Sequence, residues 1–179
     1  VQHKNSCYKI SEKILEIEKD EERFEIHNLK KLEDFAKSVE DHKVKLLETL
    51  EELKRNGKKI AGVGAPAKGM TLLNYCEIDI NYLEFVTEVS KLKINRYCPG
   101  TDLKIMSDKE LIKKKIDYAL ILPWNFKNEI MKNLNIFKNN GGKFIIPLPK
   151  IEIIWLNKKM IVKDIKKNFE DDRGVITDI

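Results

Sequence analysis

The residues best suited to hold a ligand begin at Gly62-Val-Gly64-Ala-Pro-Ala67, a Gly-x-Gly-x-x-Ala spacing followed directly by Lys68-Gly69. Between a strand and a helix, such a run lets the backbone approach a phosphate, and the unpaired amides at the helix start favour an anion. Lys68 adds a point charge near the same place. With lysine before glycine and no Ser or Thr directly after, this is not a Walker loop. A tight strand-to-helix turn that binds nothing explains the glycines equally well. Glu88 lies further beyond Gly62 than the roughly 20 residues at which a dinucleotide fold places its ribose-binding acid, so a solvated carboxylate is the alternative there. Arg96 offers a planar fork for phosphate and Tyr97 a face for a base or sugar. A surface arginine beside a packed tyrosine is the plainer account. Trp124 and Asn125 follow the most apolar segment of the chain. The indole is a pocket wall or a lid on the core, and Asn125 a ligand contact or a helix cap.

Residue types needed for catalysis are not grouped in this way. No Ser-His-Asp set, His-Glu metal motif or pair of carboxylates falls on these segments, and His3, His27 and His42 all precede them. Cys7, Cys76 and Cys98 form no Cys-x-x-Cys pair, which fits a reducing compartment and gives no zinc set. No catalytic residue and no metal ligand is therefore assigned. The net charge of +5 comes from lysines scattered against 29 acidic residues, with arginine only at Arg23, Arg55, Arg96 and Arg173. A nucleic-acid binder would cluster arginine and aromatic residues on one face. No apolar run approaches the roughly 18 residues of a membrane span. The opening Val-Gln-His-Lys-Asn lacks both an initiator Met and the apolar stretch of a signal peptide. The expectations are a processed or excised piece in the cytoplasm, with neither nucleic acid nor membrane as partner.

The elements that must position these residues follow from the pattern of apolar positions. Residues 8–19 carry Ile10, Ile14 and Ile17 on one helical stripe. Asn28 can cap a longer helix running to about Arg55, with Leu29, Leu32, Ala36, Val39, Leu46, Leu50 and Leu53 as its stripe, and Asn56-Gly57 ends it. From Lys58 strands alternate with helices. Strands are expected at 59–63, 82–87, 117–122, 143–146 and 151–155. Helices are expected at 67–76, 107–115 and 125–137, the second opened by a Ser107-Asp-Lys-Glu110 capping box and the third turning Phe126, Ile130, Leu134 and Phe137 inward. Continuous apolar strands between amphipathic helices predict an α/β fold with a parallel sheet buried on both faces. Its ligand edge should then gather four loops at the carboxyl ends of the strands: 64–69, 88–91, 123–125 and 147–149.

Four blocks carry a resemblance: Lys59-Ile-Ala-Gly-Val-Gly-Ala-Pro-Ala-Lys-Gly-Met-Thr-Leu-Leu-Asn-Tyr-Cys76, Arg96-Tyr-Cys-Pro-Gly-Thr101, Asp117-Tyr-Ala-Leu-Ile-Leu-Pro-Trp-Asn125 and Gly141-Gly-Lys-Phe-Ile-Ile-Pro-Leu-Pro149. In that order and spacing they look like the C-terminal domain of the sugar-nucleotide C-methyltransferases, and with the preceding helices the resemblance covers about residues 8–155. It implies a Rossmann-like domain that helps hold a nucleoside-diphosphate (keto)sugar. A small zinc-binding domain and an S-adenosylmethionine domain would precede it and carry the catalytic base and methyl-donor site. In the intact enzyme a base would remove a proton beside the sugar ketone, and the enolate would attack the methyl group. The substrate contacts so implied are Gly64, Ala65, Pro66, Lys68, Gly69, Asn74, Glu88, Arg96, Tyr97, Trp124 and Asn125. Where relatives have an Asp-x-Asn-Pro-x-Lys-Gln-Gly run, this chain has Glu88-Val-Ser-Lys-Leu-Lys-Ile-Asn95; only the acidic start and Lys93 correspond. The expected organisation is a helical lead-in over 1–57 packing on the domain and a Rossmann-like domain over 58–156. Residues 157–179 would form a tail or linker, or open a further cupin-like domain, since the closing residues 170–179 resemble the start of cupin-type sugar-nucleotide isomerases. A dinucleotide-binding module of the NAD type and a non-catalytic interaction domain are the alternatives.

Overall fold

The computed structural model describes residue 7, residues 11–155 and the backbone of residues 158–161. Tyr8, Ile10, His3 and the remainder of the tail lie outside the described residues. Two compact units divide between Lys43 and Val44. In the first, α1 (Glu12–Arg23) starts at Ser11, whose hydroxyl accepts the Lys13 amide at 3.3 Å. No residue of α1 is buried, and Ile14 and Ile17 of its stripe stay exposed. The next helix, α2 (Leu29–Arg55), is capped by Asn28, whose Oδ1 accepts the Lys30 amide at 2.9 Å. Its first half leaves Leu29 and Leu32 exposed, whereas Leu46, Leu50 and Leu53, in the second unit, are 0% exposed. Gly57 closes α2 at φ +69: its amide bonds the Lys54 carbonyl and the Lys58 amide the Leu53 carbonyl, so two otherwise orphaned acceptors are satisfied.

The second unit is built on a seven-stranded sheet of order β3-β2-β1-β4-β5-β6-β7. Its strands are β1 (Ile60–Val63), β2 (Val86–Thr87), β3 (Ile105–Met106), β4 (Tyr118–Ile121), β5 (Lys143–Ile146), β6 (Glu152–Trp155) and β7 (Lys158–Ile161). The first five run parallel, while β6 and β7 are antiparallel. Every residue of β1 and β4 is buried, as strands covered on both faces must be. One face packs Leu46, Leu50 and Leu53 with Leu72, Leu73 and Cys76 of α3 (Ala67–Cys76). The other packs Leu111 of α4 (Lys109–Lys113) with Leu134, Phe137 and Phe144. The expected α/β architecture is therefore present: a mostly parallel, Rossmann-like sheet with flanking helices, after a helical segment. Among the described residues, no helix is long and apolar enough to cross a membrane.

Several local expectations are corrected. The second strand shrinks to Val86–Thr87, because the Tyr82 and Leu83 amides turn back to the Asp79 carbonyl and pairing with β1 starts only at Glu84. Strand β3, two residues long, was not anticipated. The capping box does not form: the Glu110 amide bonds the Ser107 carbonyl at 3.0 Å, and Asp108 is already helical. The helix expected over 125–137 is a 3-10 turn (Trp124–Phe126), then α5 (Lys127–Asn133) and α6 (Asn135–Asn139). The break falls at Leu134 between two asparagines, which are poor in helix interiors. Phe126, expected inward, is 56% exposed.

Candidate functional site

In the sheet order β1 has β2 on one side and β4 on the other, so the chain leaves it in both directions and a crevice opens beyond the carboxyl ends of β1 and β4. A cleft of about 400 Å³ occupies that place. The loop after β1 contributes Gly64, Ala65 and Pro66, that after β2 Glu88 and Val89, and that after β4 Pro123. Three of the four expected loops meet there; residues 147–149 do not line the cleft, and Lys93, Asp108, the Phe126 turn, α5 and Leu134 complete the lining.

The glycines of the first loop answer to packing. Gly64 has φ +78, its amide bonds the Thr87 carbonyl at 2.8 Å, and a Cβ there would lie 2.7 Å from Pro123 Cγ. A Cβ on Gly69 would meet the Leu122 Cβ at 2.7 Å, so this glycine lets α3 lie on the end of β4. Both are required whether or not a ligand binds.

Glu88 organises the loop beside them. Its Oε2 accepts the Ala65 amide at 3.1 Å and the Lys93 ammonium at 3.3 Å; its Oε1 accepts the Val89 and Ser90 amides at 2.9 and 3.2 Å. Lys93 also donates to the Ala65 carbonyl at 2.9 Å. Burial by itself would raise the Glu88 carboxyl, but the Ser90 and Ala65 amides, the Lys93 charge and the Val89 amide outweigh it and hold it below the ordinary carboxylate range. A carboxylate has about four acceptor positions, and all are taken within the protein. Glu88 thus has none left for a ribose diol, and the Gly64 and Ala65 amides are already engaged. These residues do not fit an adenosyl or nicotinamide cofactor in the way a dinucleotide turn would hold one. Of the Glu88–Asn95 segment, the two positions that match the family run, Glu88 and Lys93, are the two that form this ion pair.

Lys68, Trp124 and Asn125 form a second group at the rim. The Lys68 ammonium donates to Asn125 Oδ1 and lies 4.6 Å from the centroid of the Trp124 ring and 5.9 Å from that of Phe126, which lines the cleft. Asn74, Arg96 and Tyr97 sit elsewhere. Asn74 donates to the Met70 carbonyl at 2.8 Å and the Pro99 carbonyl at 3.0 Å, which pins the Pro99-Gly100 turn to α3. Arg96 spends its Nε on the Leu92 carbonyl at 2.8 Å, and Tyr97 is exposed; neither lines the cleft. Sequence reasoning missed Lys93, Asp108, Glu129 and Asn133 as lining residues. A signal existed for two of them: Glu129 and Asn133 share a helical face with Phe126 and Ile130, and a stripe mixing acid, amide and apolar residues is a pocket rim rather than a core.

No group of three His, Cys, Asp or Glu side chains is placed to hold a metal among the described residues. Burial pushes the Cys98 thiol up to about 11, against a small opposing pull from Lys93, so it is a neutral packing group near neutral pH. In a Rossmann-like sheet the crevice at the switch point, beyond the carboxyl ends of the strands, is the place where a ligand would sit. The family described as C-methyltransferase C-terminal domain matches residues 1–149, and the chain belongs to that family. It is similar to the C-methyltransferase NovU of Streptomyces niveus, 34% identical over 121 residues that make up 68% of this chain and 29% of that protein. The chain therefore spans under a third of that relative's length.

Proposed function

We propose that this chain is the substrate-holding part of an S-adenosylmethionine-dependent C-methyltransferase that acts on a nucleoside-diphosphate (keto)sugar in the cytoplasm. Zinc-binding and methyl-donor parts of the same enzyme are its partners. The observation that carries this reading is the switch-point cleft in a domain of a C-methyltransferase family. The diphosphate lies at the rim, where the first amides of α3 lack intrahelical partners and Lys68 supplies a charge. Trp124 and Asn125 hold that lysine in place. Glu88 shapes the loop over Gly64–Pro66 without touching the substrate. What the domain contributes to catalysis is orientation, since a substrate fixed at its diphosphate presents the sugar in one pose to groups held elsewhere. The groups that remove the proton and hold the methyl donor lie in the other parts of the enzyme, since Glu88 has no acceptor left for a donor's ribose. A NAD-type module is disfavoured by the same saturated Glu88.

Calorimetry with UDP-glucose, dTDP-glucose and NAD tests the reading. A sugar nucleotide should bind and NAD should not. A charge-assisted contact is worth about 1.5–3 kcal/mol, so Lys68→Ala should weaken sugar-nucleotide binding at least tenfold, and added salt should narrow the gap to the parent. Equal binding by parent and variant would move the diphosphate away from this rim.

A further inference from the structure

The chemistry of the cleft differs from that of its rim. Nine of its lining residues are apolar or glycine, Val63, Pro123, Ile130 and Leu134 among them. Its one lysine, Lys93, is committed to Glu88 and the Ala65 carbonyl. By contrast, the side chains of Asp108, Glu129 and Asn133 make no hydrogen bond or ion pair among the described residues, and Asp108 is half-buried. Phe126, which also lines the cleft, is more than half exposed.

A diphosphate is a poor occupant for such a cavity. Two like charges a few ångströms apart repel, more strongly in a partly desolvated cleft than in water, and no unpaired cation among the described lining residues offsets that. Carboxylates without partners instead accept hydroxyl or amide donors in charge-assisted bonds. An open aromatic ring offers a flat face to another ring. At about 400 Å³ the cleft is near the lower end of the roughly 300–1,000 Å³ of small-molecule sites, enough for one substituted ring system and not for a whole sugar nucleotide.

The geometry points to an uncharged, hydroxyl-bearing ring of the substrate as the occupant of this cleft, seated on Phe126 with its hydroxyl or amide groups donated to Asp108 and Glu129, while the diphosphate stays outside at Lys68. This rests on the sugar-nucleotide reading above and divides that substrate between two subsites. The acids then discriminate as well as bind, because they disfavour a ligand inserted phosphate-first. The ring is either the nucleoside or the sugar, which share this chemistry and are separated by the test.

Amide chemical shifts of the 179-residue chain, titrated separately with uridine, thymidine, methyl β-D-glucopyranoside, pyrophosphate and dTDP-glucose, decide the matter. The expected result is that a nucleoside or the glucoside moves the Val89, Ile130 and Asn133 amides, dTDP-glucose moves the same set, and pyrophosphate does not. Which uncharged probe acts identifies the ring. In an Asp108→Asn, Glu129→Gln double variant that probe should need at least fivefold more ligand for the same shifts. If pyrophosphate and dTDP-glucose move those amides and the uncharged probes do not, the inference is overturned and the sugar-nucleotide reading survives. If the double variant binds the uncharged probe as well as the parent or better, the role of the acids is overturned. If none of the five ligands moves any amide, both readings fall.

Discussion

Glu88 shows how much one carboxylate can organise. Its side chain is 12% exposed and satisfied by three amides and a lysine that is itself about half exposed. Glu88→Gln keeps the shape and removes the charge; it should cost about 1–2 kcal/mol at neutral pH, the lower part of the range for charged hydrogen bonds because Lys93 is screened. The folded carboxyl lies below its ordinary 4.5, so its contribution is complete above that value and is lost as pH falls through the folded value. Urea unfolding at pH 7 and pH 3 should show the gap between parent and variant closing in acid; a gap that stays constant would mean the charge is not what stabilises. The neighbouring Thr87 is 0% exposed and its hydroxyl has no hydrogen-bond partner among the described residues. Thr87→Val should therefore raise stability by about 1 kcal/mol, read as a higher Tm, since it removes a buried polar atom without changing shape. At this scale the sequence was only partly readable. Glu88 stood out as an acid after a strand, but its bonds to the Ala65 amide and to Lys93 join loop positions that no helical or strand period connects.

Among the elements, α2 combines two different surfaces on one continuous helix. Leu46 is wholly buried in the core beneath α3, whereas Leu32 is half exposed. Leu46→Ala should cost about 2–5 kcal/mol as a core truncation, and Leu32→Ala should change the unfolding free energy by less than about 0.5 kcal/mol. Equal effects in chemical denaturation would mean that the two halves share one environment. The leucine spacing predicted the helix correctly and could not reveal this division, because exposure depends on what lies opposite. The strands show the same boundary. Apolar runs closed by Gly or Pro made β1, β4 and β5 legible, and the Gly64-Ala-Pro66 run set the start of α3 at Ala67. Strands β2 and β3 have two residues each, too short for any period. Nor does an apolar run reveal direction, so the antiparallel β6 was foreseen as a strand but not as a reversal.

For the molecule as a whole, the alternation of strands and helices was enough to give the fold class and the edge at which the cleft opens, and the four sequence blocks gave the family. The part of NovU that the chain matches is 29% of that protein, and Glu88 has no acceptor position left for the ribose of a methyl donor. Incubated with labelled S-adenosylmethionine and a 4-keto sugar nucleotide, the 179-residue chain should yield no methylated product above background; turnover would place both the donor and a base within it. The abutment of Gly64 against Pro123 also bears on redesign. The loop after β1 and the loop after β4 are fitted to each other so tightly that a side chain at residue 64 would displace its neighbour, and Gly64→Val would report this misfit rather than lost affinity. Anyone retuning the substrate preference has little latitude on that side. The room for variation lies on the opposite wall, where Phe126, Glu129 and Asn133 are exposed and bear no such fit, so on the proposed reading libraries aimed at a new occupant of the cleft belong on the Phe126 turn and α5.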